Sequence, residues 1–527
     1  MSLALQSVTG HSGARSRLSI LFRGVEYFPE RLDDWLEHHR RLFLLLFSVL
    51  YLLGTARIAS RRFLWADEVL TAYMTRLRLQ ELWSALASGV DLEPPLFHLI
   101  TRAFTSVFGE SPLAIRMPAI LGGWLMSVSL FQFVSRRFRT LYAGIAMLIP
   151  FVTGAAAHTY EARSYCIALG FTGLALVSWQ CAVERPRRGV CLIGLGSSLA
   201  AAIACHYYMV LALLAIGLAE AVRSFSRKKI DVPVWIALAA GLIPLPLHAS
   251  LIRTAMTFSG GAWWSTASLG ALVNAYQWFL LRAIIPAVLV ITGLALFRFN
   301  RLTAPPAGKT APGGDLPASE LCMVLVLASS LVGAFVIARL TNGIFSARYG
   351  VCLVFGFSIL PLPVISRYDA VRPLAGALSF VVLLGSFLAM QVLKHQERFH
   401  TPELLLRADK SLAIVIDNPL DFIELAYNAP PEIASRLHYL ASRADSLRYA
   451  GTDDDDRGLL LLRQRFAIGV EAPDLFFQRH TRFLVWQGAR ERWWLLPKLI
   501  TDGASINLAG ALEAERLYLV TPRAERL

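Results

Sequence analysis

Two adjacent carboxylates, Asp67 and Glu68, stand in the string FLWADEVL directly after a long apolar run. Further polar groups recur in the same setting. Asp91 and Glu93 lie in DLEPPLFHLI with His98 just beyond, Glu161 and Arg163 in YEARSY, His206 in CHYYMV, and Arg348 with Tyr349 in FSARYG. A positioned carboxylate can take a proton from a hydroxyl, and a guanidinium can grip an anion through two parallel hydrogen bonds. A carboxylate with an imidazole can share a divalent cation. Ionisable side chains at the depth or edge of a bilayer are costly, so each of these is a functional hypothesis.

The bland readings differ from residue to residue. Asp67 and Glu68 could cap and solubilise a helix. Glu161 and Arg163 could pin two helices as an ion pair, and Arg348 could snorkel to headgroups. His206, His98 and Asp91 each have a structural reading. What favours chemistry is that all of them fall on one membrane face in the topology below, which makes that face the expected active site.

That topology rests first on composition. The chain has 527 residues, 55% hydrophobic and 17% charged, with a mean hydropathy of +0.52. So little charge cannot cover a soluble surface of this size, which points to a bilayer. No cleavable signal peptide is visible in the polar, Arg-rich start, so the first membrane helix is expected to serve for targeting. The net charge of +14 lies upstream of the tail, since residues after 400 hold 16 Lys/Arg against 18 Asp/Glu. Upstream it sits in short loops, which excludes a nucleic-acid surface as the reading of that charge. The six cysteines, Cys166, Cys181, Cys191, Cys205, Cys322 and Cys352, lie in or beside apolar segments with no CxxC pair. They read as small buried hydrophobes and not as a disulfide framework.

Apolar windows place about eleven spanning helices, at 42–58, 116–135, 141–158, 162–182, 189–205, 207–222, 232–252, 273–297, 320–340, 349–366 and 371–392. Basic clusters follow every second one: Arg136, Arg137 and Arg139; Arg185, Arg187 and Arg188; Arg223, Arg227, Lys228 and Lys229; Arg298, Arg301 and Lys309; Arg367 and Arg372. These loops and the N-terminal segment 1–41 are therefore expected in the cytoplasm, and an odd helix count puts the tail outside. The membrane part spans 42–393, with a first outer loop at 59–115. Within that loop VLTAYMTRLRLQELWSALA repeats apolar residues at helical spacing, predicting one helix lying in the interface plane.

The tail, 394–527, reads as a small soluble α/β domain. SLAIVIDNP, TRFLVWQG and ERLYLVTP predict strands, while PEIASRLHYL and RWWLLPKLI predict helices. The acidic run Asp453 to Asp456 predicts a solvated turn. TAPPAGKTAPGGDLPAS predicts a flexible cytoplasmic linker, and Trp263 with Trp264 an interfacial belt.

The order of motifs carries a resemblance. An Asp-Glu pair after the first helix, an acidic-x-Pro-Pro-Leu segment, Glu-Ala-Arg-x-Tyr, a His-Tyr hairpin and a late Arg-Tyr resemble the GT-C membrane glycosyltransferases. The resemblance covers about residues 40–395 and is nearest the branch of protein O-mannosyltransferases and aminoarabinose transferases. It implies an inverting transfer of a sugar from a polyprenyl-phosphate donor to an acceptor hydroxyl of a protein, lipid or glycan. It implies Asp67 as the base, with Glu68 binding acceptor or holding the loop, and Glu161 beside them. It implies Arg163, Arg348, Tyr349 and His206 around the donor phosphate. A divalent metal is implied at Glu93, with His206 as companion and no clear third ligand. The implied setting is a bacterial inner membrane, with active site and tail on the periplasmic side.

The competing class is a lipid-linked sugar flippase or transporter, which should carry ionisable residues at the midplane and repeated halves. No internal repeat is evident. The enzyme reading requires Asp67, Arg348 and Glu161 to meet in one pocket.

Overall fold

The computed structural model describes residues 27–184, 187–258, 266–299, 314–369, 372–394, 398–490 and 493–523. The N-terminal residues before 27, Trp263 with Trp264 and most of the Pro/Gly/Ala linker lie outside these. The protein is an integral membrane protein built mainly of helices, followed by a sheet-containing tail.

Among the described residues, seven helices are long and apolar enough to cross a membrane, or ten if each bent pair is one span. Their apolar residues point both inward and outward. In Arg40–Arg61, Phe43, Phe47, Tyr51 and Ile58 are buried while Leu45, Leu46, Leu50 and Leu53 are exposed. An apolar outer face of this kind is what lipid requires. Small residues let the central helices approach closely. A Cβ added at Gly122, in Pro112–Val134, would collide with the carbonyl oxygen of Cys166 in the facing helix Tyr165–Glu184.

Four expected spans are broken. The window 141–158 runs as Thr140–Val152 and then turns by 79° into Gly154–Tyr160. The windows 232–252 and 320–340 bend by 61° and 55°, and 349–366 is two short helices, Leu353–Ile359 and Leu362–Tyr368, separated at Pro361. Pro cannot donate to the helix ladder, and Pro150 and Pro361 sit at or beside two of these interruptions. The first break matters most, because it delivers the YEARSY segment to the top of the bundle.

Cys181 and Cys191 form a disulfide, correcting the expectation that all six cysteines are unpaired. Their helices, Tyr165–Glu184 and Arg188–Cys205, pack side by side, a neighbourhood that spacing alone does not reveal.

The loop 59–115 folds as three helices, Ala66–Arg76, Leu79–Ser88 and Pro95–Phe108. The single interfacial helix expected over its first half is broken at Leu77, which adopts an extended backbone. Much of its apolar face, including Val69, Tyr73 and Leu82, joins a core shared with tail residues such as Ile423 and Leu462.

The tail holds a six-stranded sheet: β1 Ile414–Ile416, β2 Leu437–Leu440, β3 Val470–Glu471, β4 Phe483–Gln487, β5 Ser505–Leu512 and β6 Glu515–Thr521. The order is β3-β2-β1-β4-β6-β5, with β1 to β4 mutually parallel and β6 antiparallel to both neighbours. Parallel strands need crossovers, and the helix Pro419–Asn428 supplies the first. PEIASRLHYL is one short helical turn, Pro431–Ala434, and then β2, where a longer helix was expected. The acidic run is not a solvated turn. It opens the helix Asp454–Arg463, and Asp456 is buried as the acceptor for Tyr439, Ser442, Trp493 and Trp494.

Candidate active site

Three loops and the tail enclose a cavity of about 650 Å³. Asp67, in the first turn of Ala66–Arg76, is half-buried on its wall. Its Oδ2 lies 3.3 Å from Nη1 of Arg348, which enters from the short helical turn Ala347–Gly350, and 4.0 Å from Nε of Arg163. The Arg348 guanidinium is further held over the Trp65 ring at 5.6 Å. Asp67 and Arg348 are therefore together, while Glu161, the third residue the enzyme reading required, does not line the cavity.

Arg163 is the hub of the cavity floor. Besides Asp67 it faces Glu93, at 2.8 Å from Nη2 to Oε1, and Asp91, at 3.7 Å from Nη1 to Oδ2. His98, one turn into Pro95–Phe108, brings Nε2 within 3.3 Å of the same Asp91 oxygen. All four side chains are buried. Burial raises the Glu93 carboxyl to about 7 against the pull of Arg163, with Asp91 and Asp67 adding to the rise. Asp91 is equally buried, but Arg163 and His98 outweigh that burial and hold it below the usual carboxylate range.

Asp91, Glu93 and His98 each offer a ligand atom within 4.8 Å of the others. Glu93 Oε2 and His98 Nδ1 lack any partner, and Glu93 Oε1, Asp91 Oδ2 and His98 Nε2 are met by ion pairs alone. Two carboxylates and an imidazole, buried and unsatisfied, fit a divalent cation. The metal ligand set expected from sequence is thereby corrected: His206 is not in this group, and Asp91 and His98 are. His206 is buried among Tyr165, Tyr208 and Tyr349, with ring centroids 5.1–6.2 Å away, and lines the cavity as an aromatic-cluster member. Tyr349 lines it too, stacked on Tyr208 at 4.4 Å.

Two expected site residues do not face the cavity. Glu68 is fully buried behind it, accepting from Nε of Arg116 at 2.7 Å and from the amide of Ala162 at 2.7 Å, with Arg116 Nη2 on its second oxygen. Arg116 also donates to the carbonyls of Ala59, Arg62 and Phe63, at 2.7 Å each. The pair ties the end of the first helix, the Asp67 turn and the YEARSY segment into one post, so the geometry gives Glu68 a supporting place. The physical reason is the one-residue offset, since neighbours on a helix point about 100° apart. Glu161 is likewise turned away, hydrogen-bonded to Nδ1 of His158 at 2.8 Å and 3.9 Å from Arg62. Burial of Glu161 is outweighed by His158, Arg62 and Arg348, and its carboxyl lies below the ordinary value.

The tail takes part. Glu424 Oε1 accepts from the amide of Ala66 at 3.0 Å, and Asn428 Nδ2 donates to the carbonyl of Leu64 at 3.0 Å. Glu424 is itself held by Arg490, 2.8 Å away, which also binds Asp421 at 2.7 Å. The helix carrying Asp67 is thus capped from a residue more than three hundred positions later in the chain. Leu245, Ile252, Met256, Ile337 and Ile344 add apolar lining.

Residues 92–251, which carry Glu93, His98, Arg163 and His206, match the family model described as dolichyl-phosphate-mannose-protein mannosyltransferase. No curated protein matches the chain at the sequence level. Over nearly its whole length the fold is similar to the crystal structure of ArnT from Cupriavidus metallidurans bound to undecaprenyl phosphate. The TM-score is 0.51 at 13% identity, over 92% of this chain and 98% of that one. ArnT in the apo state gives 0.47 at 13% identity, over 91% and 97%. The apo oligosaccharyltransferase of Archaeoglobus fulgidus gives 0.41 at 10%, over 86% and 70%. The match to ArnT bound to undecaprenyl phosphate shows a shared fold, and the family match covers the segment 92–251 within it.

Proposed function

We propose that the chain is an inverting glycosyltransferase that moves a sugar from a polyprenyl-phosphate donor to an acceptor hydroxyl at the non-cytoplasmic face of a bacterial inner membrane. The observation that carries this reading is the Asp67 carboxylate held beside two guanidinium groups in a cavity with apolar lining. The apolar lining suits the lipid chain, and the guanidinium groups suit its phosphate. ArnT, which shares the fold, was crystallised with a carrier of this kind.

In the reaction, Asp67 takes the proton of the acceptor hydroxyl as its oxygen attacks the anomeric carbon. The bond from that carbon to the phosphate oxygen breaks on the opposite side, and the phosphate leaves with the electron pair. Arg348 and Arg163 stabilise the charge gathering on the leaving oxygen. Base catalysis of this kind contributes about 10²–10⁴-fold. Asp91, Glu93 and His98 would hold a divalent cation, which would supply further positive charge against a phosphate oxygen. The acceptor is a hydroxyl of a protein, lipid or glycan in the cell envelope. In this reading residues 42–393 form the catalytic membrane domain and 394–527 an extracytoplasmic domain that roofs it.

Membranes holding the protein should consume a labelled polyprenyl-phosphate sugar when acceptor is present, and Asp67→Asn should stop this without lowering protein level or donor binding. A flippase would move the lipid without consuming it and would tolerate that substitution. Its midplane charges are not what supports the present reading, which rests on groups gathered at one end of the bundle.

A further inference from the structure

The tail does more than cover the cavity: it supplies one wall of it, through Leu420 and Ile423 on one helix and Asp454, Asp455 and Leu459 on another. Within the acidic run at the start of the second helix, three carboxylates are engaged. Asp453 pairs with Arg443 at 2.6 Å, Asp454 accepts from Thr452 at 2.8 Å, and Asp456 is the buried acceptor already described. Asp455, half-buried, is alone of the four in having no hydrogen-bond or ion-pair partner among the described residues. It faces the cavity close enough to feel the charge of Asp67. A carboxylate that lines the cavity without a protein partner is free to accept a hydrogen bond from a ligand there.

We infer that Asp455 is a specificity-determining residue that binds the acceptor, accepting a hydrogen bond from a hydroxyl of a neutral, polyhydroxylated group beside the reacting oxygen. This rests on the glycosyltransferase reading above. The placement follows from what the other walls can hold. The apolar lining takes the lipid, and Arg163 and Arg348 take the phosphate. The remaining wall belongs to the tail, through Leu420, Ile423, Asp455 and Leu459. Its carboxylates repel a second anion, so an acceptor with a phosphate or carboxylate at this point is excluded. Hydroxyl groups suit it in either protonation state, since the carboxylate accepts and the acid also donates. Burial, together with Asp456, Asp454 and Asp67, raises Asp455 to about 7, so both states occur near neutrality.

The test uses the full chain in lipid nanodiscs with three donors, undecaprenyl-phosphate-linked mannose, glucose and arabinose, labelled in the sugar. Octyl glucoside and its 6-phosphate serve as acceptor probes, and water competes as a third acceptor, giving free sugar. The neutral glycoside should be glycosylated and its 6-phosphate at least about tenfold less. Asp455→Ala should lower the ratio of glycoside transfer to hydrolysis about tenfold, the scale of losing a hydrogen bond to a charged group. Asp455→Asn, which keeps an acceptor oxygen, should lower that ratio less, and Asp455→Lys should shift preference toward the phosphorylated probe. If Asp455→Ala lowers transfer and hydrolysis in the same proportion, Asp455 does not bind acceptor and the inference falls alone. If Asp67→Asn retains both products, or the wild-type protein consumes none of the three donors, the reading beneath it falls as well.

Discussion

Asp67 and Glu68 are chain neighbours with opposite surroundings, and substituting each as its amide should separate chemistry from architecture. Asp67 is half-buried, and its contact with Arg348 at 3.3 Å lies in an opening to the cavity. Asp67→Asn keeps the shape and loses only a partly exposed ion pair, so stability should change by about 1 kcal/mol or less. Turnover should fall about 10²–10⁴-fold, because the amide cannot take the acceptor proton. Glu68→Gln meets a different site. Its carboxylate is fully buried, faces two donors of Arg116, and accepts the Ala162 amide. The new NH₂ group must point at one of those donors, and Arg116 becomes a buried charge without its counter-ion. Breaking a buried pair in this way costs roughly 3–5 kcal/mol. An apolar double replacement, Glu68→Leu with Arg116→Met, should not recover this, since three carbonyls that Arg116 serves would lose their donor. The assay is thermal unfolding in detergent alongside turnover of a labelled donor. A Glu68→Gln protein as stable as wild type but inactive would refute the reasoning and return Glu68 to the chemistry.

Glu424→Ala should lower kcat about tenfold with little change in donor KM, because the lost cap, worth about 1 kcal/mol, loosens the turn that aims Asp67; Glu424→Gln, which still accepts from Ala66, should restore most of it, and an unchanged kcat in Glu424→Ala would count against the tail as anchor. Manganese or zinc should raise the unfolding temperature of the wild-type protein at pH 8 and do so far less in His98→Ala, read by the concentration dependence of the shift; equal shifts would remove Asp91, Glu93 and His98 as the binding group. Glu161 is lowered from 4.5, so its contribution to stability is present above pH 4.5 and is lost as pH falls through its folded value. Glu161→Gln should therefore flatten the acid side of a pH–stability profile below about 4.5, and an unchanged acid limb would show that its ion pairs contribute nothing.

The site was legible in the sequence where burial cost and topology act together. Asp67 and Arg348 lie 281 positions apart, yet both follow from an alternating basic pattern that puts them on one face. Arg116 was not singled out, because at the edge of an apolar window it resembles any flanking cation. Its partner Glu68 could be known only once the loop folded back. Asp91 and His98 each carry a structural reading in the sequence, and only the folded loop brings their ligand atoms together with those of Glu93. In the tail, the alternation in LHYL was masked by the Pro pair upstream, which starts a single helical turn and no more. Asp455 was invisible for a non-local reason. Four successive aspartates look solvated until the surface they dock against is known.

The charge balance of the cavity explains why so many of these groups converge. Asp67, Asp91 and Glu93 surround Arg163, while Arg348 touches only Asp67 among them. Fully ionised, three carboxylates face two guanidinium groups, before Asp455 is added. An arriving phosphate would deepen that excess in a low-dielectric space, where unpaired charge costs most. Two features of the site offset it. The Glu93 carboxyl, raised to about 7, can hold a proton, and the Asp91–Glu93–His98 group fits a divalent cation. Either one releases Arg163 from part of its carboxylate burden and leaves its guanidinium to face the phosphate. In the proposed reaction the buried carboxylates would be no obstacle to phosphate binding, and would make a proton or a cation a condition of it.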